Sequence, residues 1–424
     1  MNRNNIFDEL EWRGLIHTAS EGAEEHLKAG PTTIYTGFDP TGPSLHIGHL
    51  LPAMGLARMQ RFGHNVIALV GGGTGLIGDP SFKASERALL SKETVESYVA
   101  SIGAQLTRLL DFDIKPNPAR MINNADWLTT IPLTDFLRDI GKHFSVNAML
   151  AKDSVKTRFE KEEGISFTEF SYPLLQSYDF LALHDRFGCM AQMGGSDQWG
   201  NITSGVDLIR RVRGNKAFAL VYPLILNASG VKFGKSEGNA VWLDPEMTSP
   251  YKFYQYWLNA DDRDAVKYLK YFTWMTESEI AECEASLAAD PGARVTQRRL
   301  AKEVTELVHG LDGLAKAERA SRVLFGEEIS GLTLPELNDI FSDVPTTELP
   351  RSEVIGALFT DLLVKSGVAT SKGDARRAIA GGGLYINNRR ATDEAYIVND
   401  NDAIEGAAVV IRKGKKKYHL IRMK

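Results

Sequence analysis

The chain is poor in cysteine: Cys189 and Cys283 are the only two in 424 residues, and neither lies in a CxxC pair. That excludes a disulfide framework and gives no pattern for structural zinc. Long apolar runs are also missing, with none approaching the roughly 18 residues of a membrane helix. The first ten residues mix polar and acidic side chains and show no signal-peptide pattern. Internal repeats and low-complexity stretches are absent as well. What is present is the composition of an ordinary globular protein, 43% hydrophobic and 24% charged, long enough for two or three domains. The expectation is a cytoplasmic protein without a membrane partner.

The net charge of −5 is unevenly spread. From Arg351 to Lys424 there are 14 Lys/Arg against 8 Asp/Glu, a net of +6, so the remainder carries −11. A basic end on an acidic body suits a polyanionic partner such as RNA, or is simply a solvated charged terminus.

Hydrophobic patterning predicts an α/β fold. A short β-rich run at 32–38 ends at Asp39-Pro40, and a helix begins near Ile47, with Pro52 tolerated in its first turn. Residues 66–70 are continuously apolar, as a buried parallel strand requires, and empty into a glycine turn. Strand, helix and strand within about 40 residues make a βαβ unit of a doubly wound, Rossmann-like parallel sheet. Further helices are expected at 92–110 and 167–183, and strands at 191–193 and 218–226. The catalytic domain is read as 1–248, with an insertion at about 111–165. Residues 249–323 read as a helical domain, 324–350 as a linker and 357–424 as a small α+β module. In that module Ser371 and Asp374 resemble a capping box.

Two constellations carry chemistry. The first is Asp39-Pro40-Thr41-Gly42-Pro43-Ser44-Leu45-His46-Ile47-Gly48-His49. Two histidines three apart flank a helix start, where exposed N–H groups and the helix dipole attract an anion. Gly48 leaves room for a base or ribose to approach the backbone. The second is Lys232-Phe233-Gly234-Lys235-Ser236, a cationic loop able to close over a triphosphate and neutralise departing pyrophosphate. Alone, each has a bland alternative: a surface turn with incidental histidines, and a solvated lysine pair.

Together they resemble the HIGH and KMSKS motifs of class I aminoacyl-tRNA synthetases, the second reading KFGKS here. The string Gly194-Gly195-Ser196-Asp197-Gln198-Trp199-Gly200-Asn201 and most of the remaining chain are similar to the bacterial tyrosyl-tRNA synthetase family. That resemblance implies ATP-dependent activation of L-tyrosine, with Mg²⁺ on the ATP phosphates, followed by transfer to tRNA(Tyr) by a homodimer. It assigns Tyr35 and Asp179 to the substrate hydroxyl, and Asp79, Tyr172 and Gln176 to its ammonium. Thr41, His46, His49 and Gly48 would meet ATP together with Asp39. Gly195 and Asp197 would meet the ribose, and Gln198 the reacting region. Lys83 and Arg87 would join Lys232, Lys235 and Ser236 on pyrophosphate. In the C-terminal module, Arg376, Arg377, Arg389 and Arg390 with Lys415, Lys416 and Lys417 would grip tRNA, with the 249–323 helices near the anticodon. Residue chemistry supports part of this independently. Tyr172, Gln176 and Asp179 fall on one face of an otherwise apolar helix. None of the assigned groups is a nucleophile, so the catalysis implied is positioning and charge stabilisation. A tryptophan enzyme of the same fold would have no use for a phenol-binding pair. A small HxGH nucleotidyltransferase would need no RNA-binding module. An RNA scaffold with a relic site should have lost His46, His49, Lys232, Lys235 or Asp197.

Overall fold

The computed structural model describes residues 5–79, 89–152, 155, 165–228, 230, 233, 235–236, 239–329, 331–342, 344–414 and 417–424. The chain divides into two compact units: residues 1–248 with 257–308, and residues 249–256 with 309–424.

The first unit is built on a six-stranded sheet. Its strands are β1 (Thr18–Ala19), β2 (Thr33–Phe38), β3 (Asn65–Val70), β4 (Arg120–Asn123), β5 (Cys189–Gly195) and β6 (Phe218–Tyr222), in the order β1-β6-β5-β2-β3-β4. All neighbours run parallel except the short edge strand β1, antiparallel to β6. In β3 every residue after Asn65 is buried, and in β6 all five are; both faces are covered, which is why these runs are apolar rather than alternating. Chain order reverses between β2 and β5, making their carboxyl ends the topological switch point. β4 lies within the stretch read as an insertion, so residues 120–123 belong to the sheet itself. The signal was weak because only four residues, half-buried to exposed, form this edge strand.

Two helices dominate the site. Ile47–Arg61 follows β2 and is capped by His46, whose ring accepts from the Gly48 N–H. Pro52 lies at the sixth helical position, beyond the first turn where it was expected, so the Gly48 carbonyl lacks its helical donor. Phe167–Phe187 is longer than the expected 167–183. It is capped by Ser166 and stopped by Gly188 at φ 62°, the left-handed conformation glycine adopts at low cost.

The second unit corrects two boundaries. Residues 324–350 are not a linker. They carry the helix Leu334–Ile340 and strand Thr346–Leu349, which pairs parallel with strand Lys417–Met423. The C-terminal sheet contains these strands with Leu384–Ile386, Arg389–Arg390 and Ala408–Lys413. In Ala408–Lys413, Val409 and Ile411 join a core with Phe359, Leu363 and Ile379, while Ala408 and Val410 join another with Leu337, Ile340 and Phe341. A strand alternates faces, and the supposed linker covers the second. Nor is 249–323 one unit, because the helix Val295–Leu324 breaks at Gly310 (φ 71°, ψ −178°) and divides there between the two bodies. The capping motif at 371 is shifted by one: Ser371 accepts from Asp374 N–H, but Asp374 accepts in return from Thr370.

Candidate active site

A cavity of about 400 Å³ opens at the switch point. It is lined by Tyr35, Asp39, Thr41, His46, Gly48, His49, Asp79, Tyr172, Gln176, Asp179, Gly195, Asp197 and Gln198. Thus thirteen of the residues proposed from sequence meet at one place, drawn from the ends of β2 and β5, the starts of two helices and the middle of a third. Lys83, Arg87, Lys232, Lys415 and Lys416 lie outside the described residues, and for Lys235 and Ser236 only the backbone is described, as the first strand of a two-residue hairpin with Asn239–Ala240.

One end of the cavity is buried and polar. Tyr35 sits on β2, 1% exposed, and its hydroxyl has no hydrogen-bond partner. Asp179 is 2% exposed on the helix Phe167–Phe187. Its Oδ1 accepts from Trp127 Nε1 at 2.7 Å and its Oδ2 from Asn124 Nδ2 at 2.9 Å. Burial pushes this carboxyl up to about 8 against the lowering pull of those two donors. The sequence reading missed Asn124 and Trp127. The available signal was the Asn123-Asn124 pair with Trp127 three residues on, after the short edge strand. The Gln176 Oε1 and, on β5, Gln192 Oε1 are also buried without partners. Orphaned buried acceptors and hydroxyls are costly, and a polar ligand entering the cavity would satisfy them.

A second network crosses the middle. Asp39 Oδ2 accepts from the Tyr172 hydroxyl at 2.6 Å, and Oδ1 from Thr74 at 2.7 Å. Asp79 accepts from Gln198 Nε2 at 2.6 Å, and Gln198 Oε1 in turn accepts from Asn201 at 3.2 Å. Asp39 and Asp79 give the middle of the cavity an acidic character, suited to a cationic group.

At the mouth, His46 and His49 form a reciprocal cap. His49 Nδ1 accepts from His46 N–H at 3.2 Å, His46 Nδ1 accepts from Gly48 N–H at 3.0 Å, and the rings stack at 3.9 Å. Because each Nδ1 accepts, a neutral ring carries its proton on Nε2, where it can donate. A Cβ on Gly48 would lie 2.7 Å from the His46 ring. The glycine therefore makes room for the imidazole itself, a requirement beyond that of an approaching ligand. Phe233 of the KFGKS segment is buried, stacked on Phe272 at 5.2 Å and flanked by Tyr268 and Trp257. The change from the usual motif thus supplies an aromatic anchor. Among the described residues no group of three His, Cys, Asp or Glu is placed to hold a metal ion.

The RNA-directed residues are less uniform. Arg376 is 61% exposed at its side chain, whereas Arg389 pairs with Asp402, whose side chain is fully buried and also accepts from Tyr396. Arg377 and Lys417 are exposed, and Arg390 is exposed while its guanidinium packs over Gly382.

A doubly wound sheet with a histidine-capped helix start after β2 and a polar pocket at the switch point is the class I aminoacyl-tRNA synthetase arrangement. The family model "tRNA synthetases class I (W and Y)" matches residues 27–326. A second, "Tyrosine--tRNA ligase SYY-like C-terminal domain", matches 336–421. The chain is 56% identical over 420 residues to the tyrosine–tRNA ligase of Roseiflexus castenholzii, covering 99% of each chain. It is 50% identical over 420 residues to that of Geobacillus stearothermophilus, covering 98% of this chain and 99% of the relative. A truncated mitochondrial tyrosyl-tRNA synthetase from Aspergillus nidulans superposes with TM-score 0.69 at 33% identity, over 76% of this chain and 95% of that one. A tryptophanyl-tRNA synthetase from Encephalitozoon cuniculi, at 16% identity and TM-score 0.53, shares the fold. The chain belongs to the tyrosyl-tRNA synthetase family.

Proposed function

We propose that this chain is a class I tyrosine–tRNA ligase: it activates L-tyrosine with ATP to tyrosyl-AMP and pyrophosphate, then esterifies the tyrosine to the 3′ end of tRNA(Tyr). The observation that carries the reading is the buried pair at the cavity's closed end, an unpartnered Tyr35 hydroxyl and the Asp179 carboxyl. A phenol hydroxyl fits both, accepting from Tyr35 and donating to Asp179. An indole offers a donor but no acceptor, and a plain phenyl ring offers neither, so either leaves the Tyr35 hydroxyl without its partner.

The tyrosine ammonium then lies among Asp79, Tyr172 and Gln176, and its carboxylate is directed toward the mouth. The carboxylate attacks the α-phosphate, so the protein needs no nucleophile of its own. Its work is to hold the two reactants and stabilise charge on the pentacovalent phosphorus. Nε2–H donors of His46 and His49, with Thr41, hold phosphate oxygens. Gly195 and Asp197 hold the ribose, and Gln198 lies between the reacting groups. Lys83, Arg87, Lys232, Lys235 and Ser236 draw off pyrophosphate, and Mg²⁺ accompanies ATP as the counterion of its phosphates.

The C-terminal module grips tRNA through Arg376, Arg377, Arg390 and the 415–417 lysines, with Arg389 chiefly neutralising Asp402. The enzyme works in the cytoplasm. No helix among the described residues is long and apolar enough to cross a membrane. It acts as a homodimer. Leu133, Leu137, Val146 and Phe167 are 51–78% exposed, and a partner subunit covering them would support that state.

The test is ATP–pyrophosphate exchange with each standard amino acid in turn. Exchange with tyrosine alone is the expected result. Exchange with tryptophan overturns the pocket reading but keeps the class. Silence with all of them, from folded protein that binds tRNA, favours an RNA scaffold.

A further inference from the structure

Arg58 is an arginine where packing alone would favour an apolar side chain. It lies on the helix Ile47–Arg61, three turns from the His46 cap, and is 1% exposed. Its Nη2 donates to the Thr273 carbonyl at 2.9 Å and to the Lys270 carbonyl at 3.3 Å. Arg13 donates to the same two carbonyls, at 3.3 and 2.8 Å, and to Met275. These carbonyls close the helix Asp262–Phe272, so two guanidiniums satisfy its negative end. The arrangement is costly. Arg58 Nε and Nη1 make no hydrogen bond, the guanidinium lying 5.2 Å from the Trp274 ring, and burial, with Arg13 nearby, lowers its pKa to about 9.

The same helix holds Leu226, Ala228 and, within KFGKS, Phe233. Asp264 accepts from Ala228 N–H at 2.6 Å, and Lys267 donates to Leu226 O at 3.3 Å. Tyr268 and Phe272 enclose Phe233. One helix therefore touches the HIGH helix at its own carbonyl end and Leu226, Ala228 and Phe233 along its side.

We propose that Arg58 is a positioning residue for the ATP half of the reaction: by holding the end of Asp262–Phe272 it fixes Ala228 and Phe233, the latter within KFGKS, relative to the HIGH helix. This rests on the function proposed above. Arg58 touches neither substrate. Its effect therefore falls on adenylate formation and leaves tyrosine binding alone.

The experiment compares full-length wild type, Arg58→Met and Arg58→Lys by amide hydrogen exchange without ligand and by single-turnover adenylate formation. In Arg58→Met the Ala228 and Phe233 amides should exchange about tenfold faster or more, with β2 unchanged. At saturating tyrosine, adenylate formation should slow by about tenfold or more, with the tyrosine Kd within about twofold of wild type and partial recovery in Arg58→Lys. If Arg58→Met fails to fold, Asp264→Asn, which weakens the contact to Ala228, must reproduce the same split. Faster exchange confined to the last turn of Asp262–Phe272, or an equal loss of tyrosine affinity, overturns the proposal and leaves Arg58 a helix cap. A wild type that does not activate tyrosine refutes the function reading instead, and the amide exchange still decides the role of Arg58.

Discussion

Removing the Asp179 carboxylate tests the pocket most directly. In Asp179→Ala the substrate phenol loses an acceptor. A hydrogen bond to a charged group contributes about 1.5–3 kcal/mol, whereas one between neutral groups contributes about 0.5–1.5 kcal/mol. The distinction matters because this carboxyl is pushed up to about 8. Assayed somewhat above that pH, where the carboxylate is the working form, kcat/KM for tyrosine should fall by about 10- to 150-fold. At pH 7 the loss should be smaller, nearer 2- to 10-fold. kcat/KM for ATP, measured at saturating tyrosine, should change by less than about threefold. Phenylalanine never made the hydrogen bond, so its use should hold or improve, and the tyrosine/phenylalanine ratio should fall by about 10- to 150-fold or more. Tyrosyl-tRNA synthetase is itself the standard instance of this kind of discrimination. The variant must remain folded. Deleting the carboxyl strands the Trp127 and Asn124 donors, each at about 1–3 kcal/mol, but also removes a buried ionisable group whose charged form the fold disfavours. Net destabilisation should therefore fall short of the sum, and a melting curve will confirm a cooperative fold. Equal losses for tyrosine and ATP in folded protein would refute the assignment of Asp179 to the phenol.

The same carboxyl makes stability depend on pH. Its pKa is raised from 3.8 in the unfolded chain to about 8 in the fold. Between those values the folded state holds a proton the unfolded state has lost, so wild-type stability from this group falls as pH rises from about 4 to 8. The Tm of Asp179→Asn minus that of wild type should climb across this window and level off above it; a flat difference contradicts the shifted pKa. Gly55→Ala places a Cβ 1.8 Å from the Tyr222 hydroxyl in a fully buried site. It should destabilise by about 1–3 kcal/mol despite the roughly 1 kcal/mol gain in helix propensity, and a wild-type melting temperature would contradict the packing described. Replacing both Arg376 and Arg377 with alanine should weaken tRNA binding and make log K against log[salt] shallower by about 1–2, leaving tyrosine-dependent pyrophosphate exchange intact. An unchanged salt slope would remove these arginines from the RNA surface.

The sequence made the sheet legible where burial on both faces forced continuous apolar runs, as in β3 and β6. It concealed β4, because a four-residue edge strand needs no such run. The two histidines were legible because a helix start after a parallel strand is a physical signal; their mutual capping was not, since it depends on ring orientation. Tyr172, Gln176 and Asp179 could be placed on one helical face from spacing alone. Asn124 and Trp127 could not, because their role is to hold Asp179 across a sequence gap of more than fifty residues. The failed linker has the same origin. Leu337, Ile340 and Phe341 gain their meaning only against Ala408 and Val410, and no local window contains both.

The two ends of the cavity are built on opposite electrostatic principles, and the reaction needs both. At the closed end, polar atoms are held dry, some without partners, so that a ligand lacking the complementary hydroxyl leaves them unsatisfied. Selectivity arises there because the effective dielectric is low and an unmade hydrogen bond is expensive. At the mouth, in the function proposed here, the donors are two ring N–H groups whose rings are held by backbone N–H contacts beside the positive end of a helix dipole. They are oriented before any ligand arrives and need not reorganise as charge builds on phosphate. A buried recognition end with an equally buried phosphate end would strand a triphosphate in low dielectric. An open recognition end would let water satisfy Tyr35 and Asp179 and erase the penalty for the wrong side chain. Placing the cavity at the switch point resolves the conflict: β2 and β5 diverge from a sealed floor, near Tyr35 and Gln192, toward an open rim at His46 and Asp197.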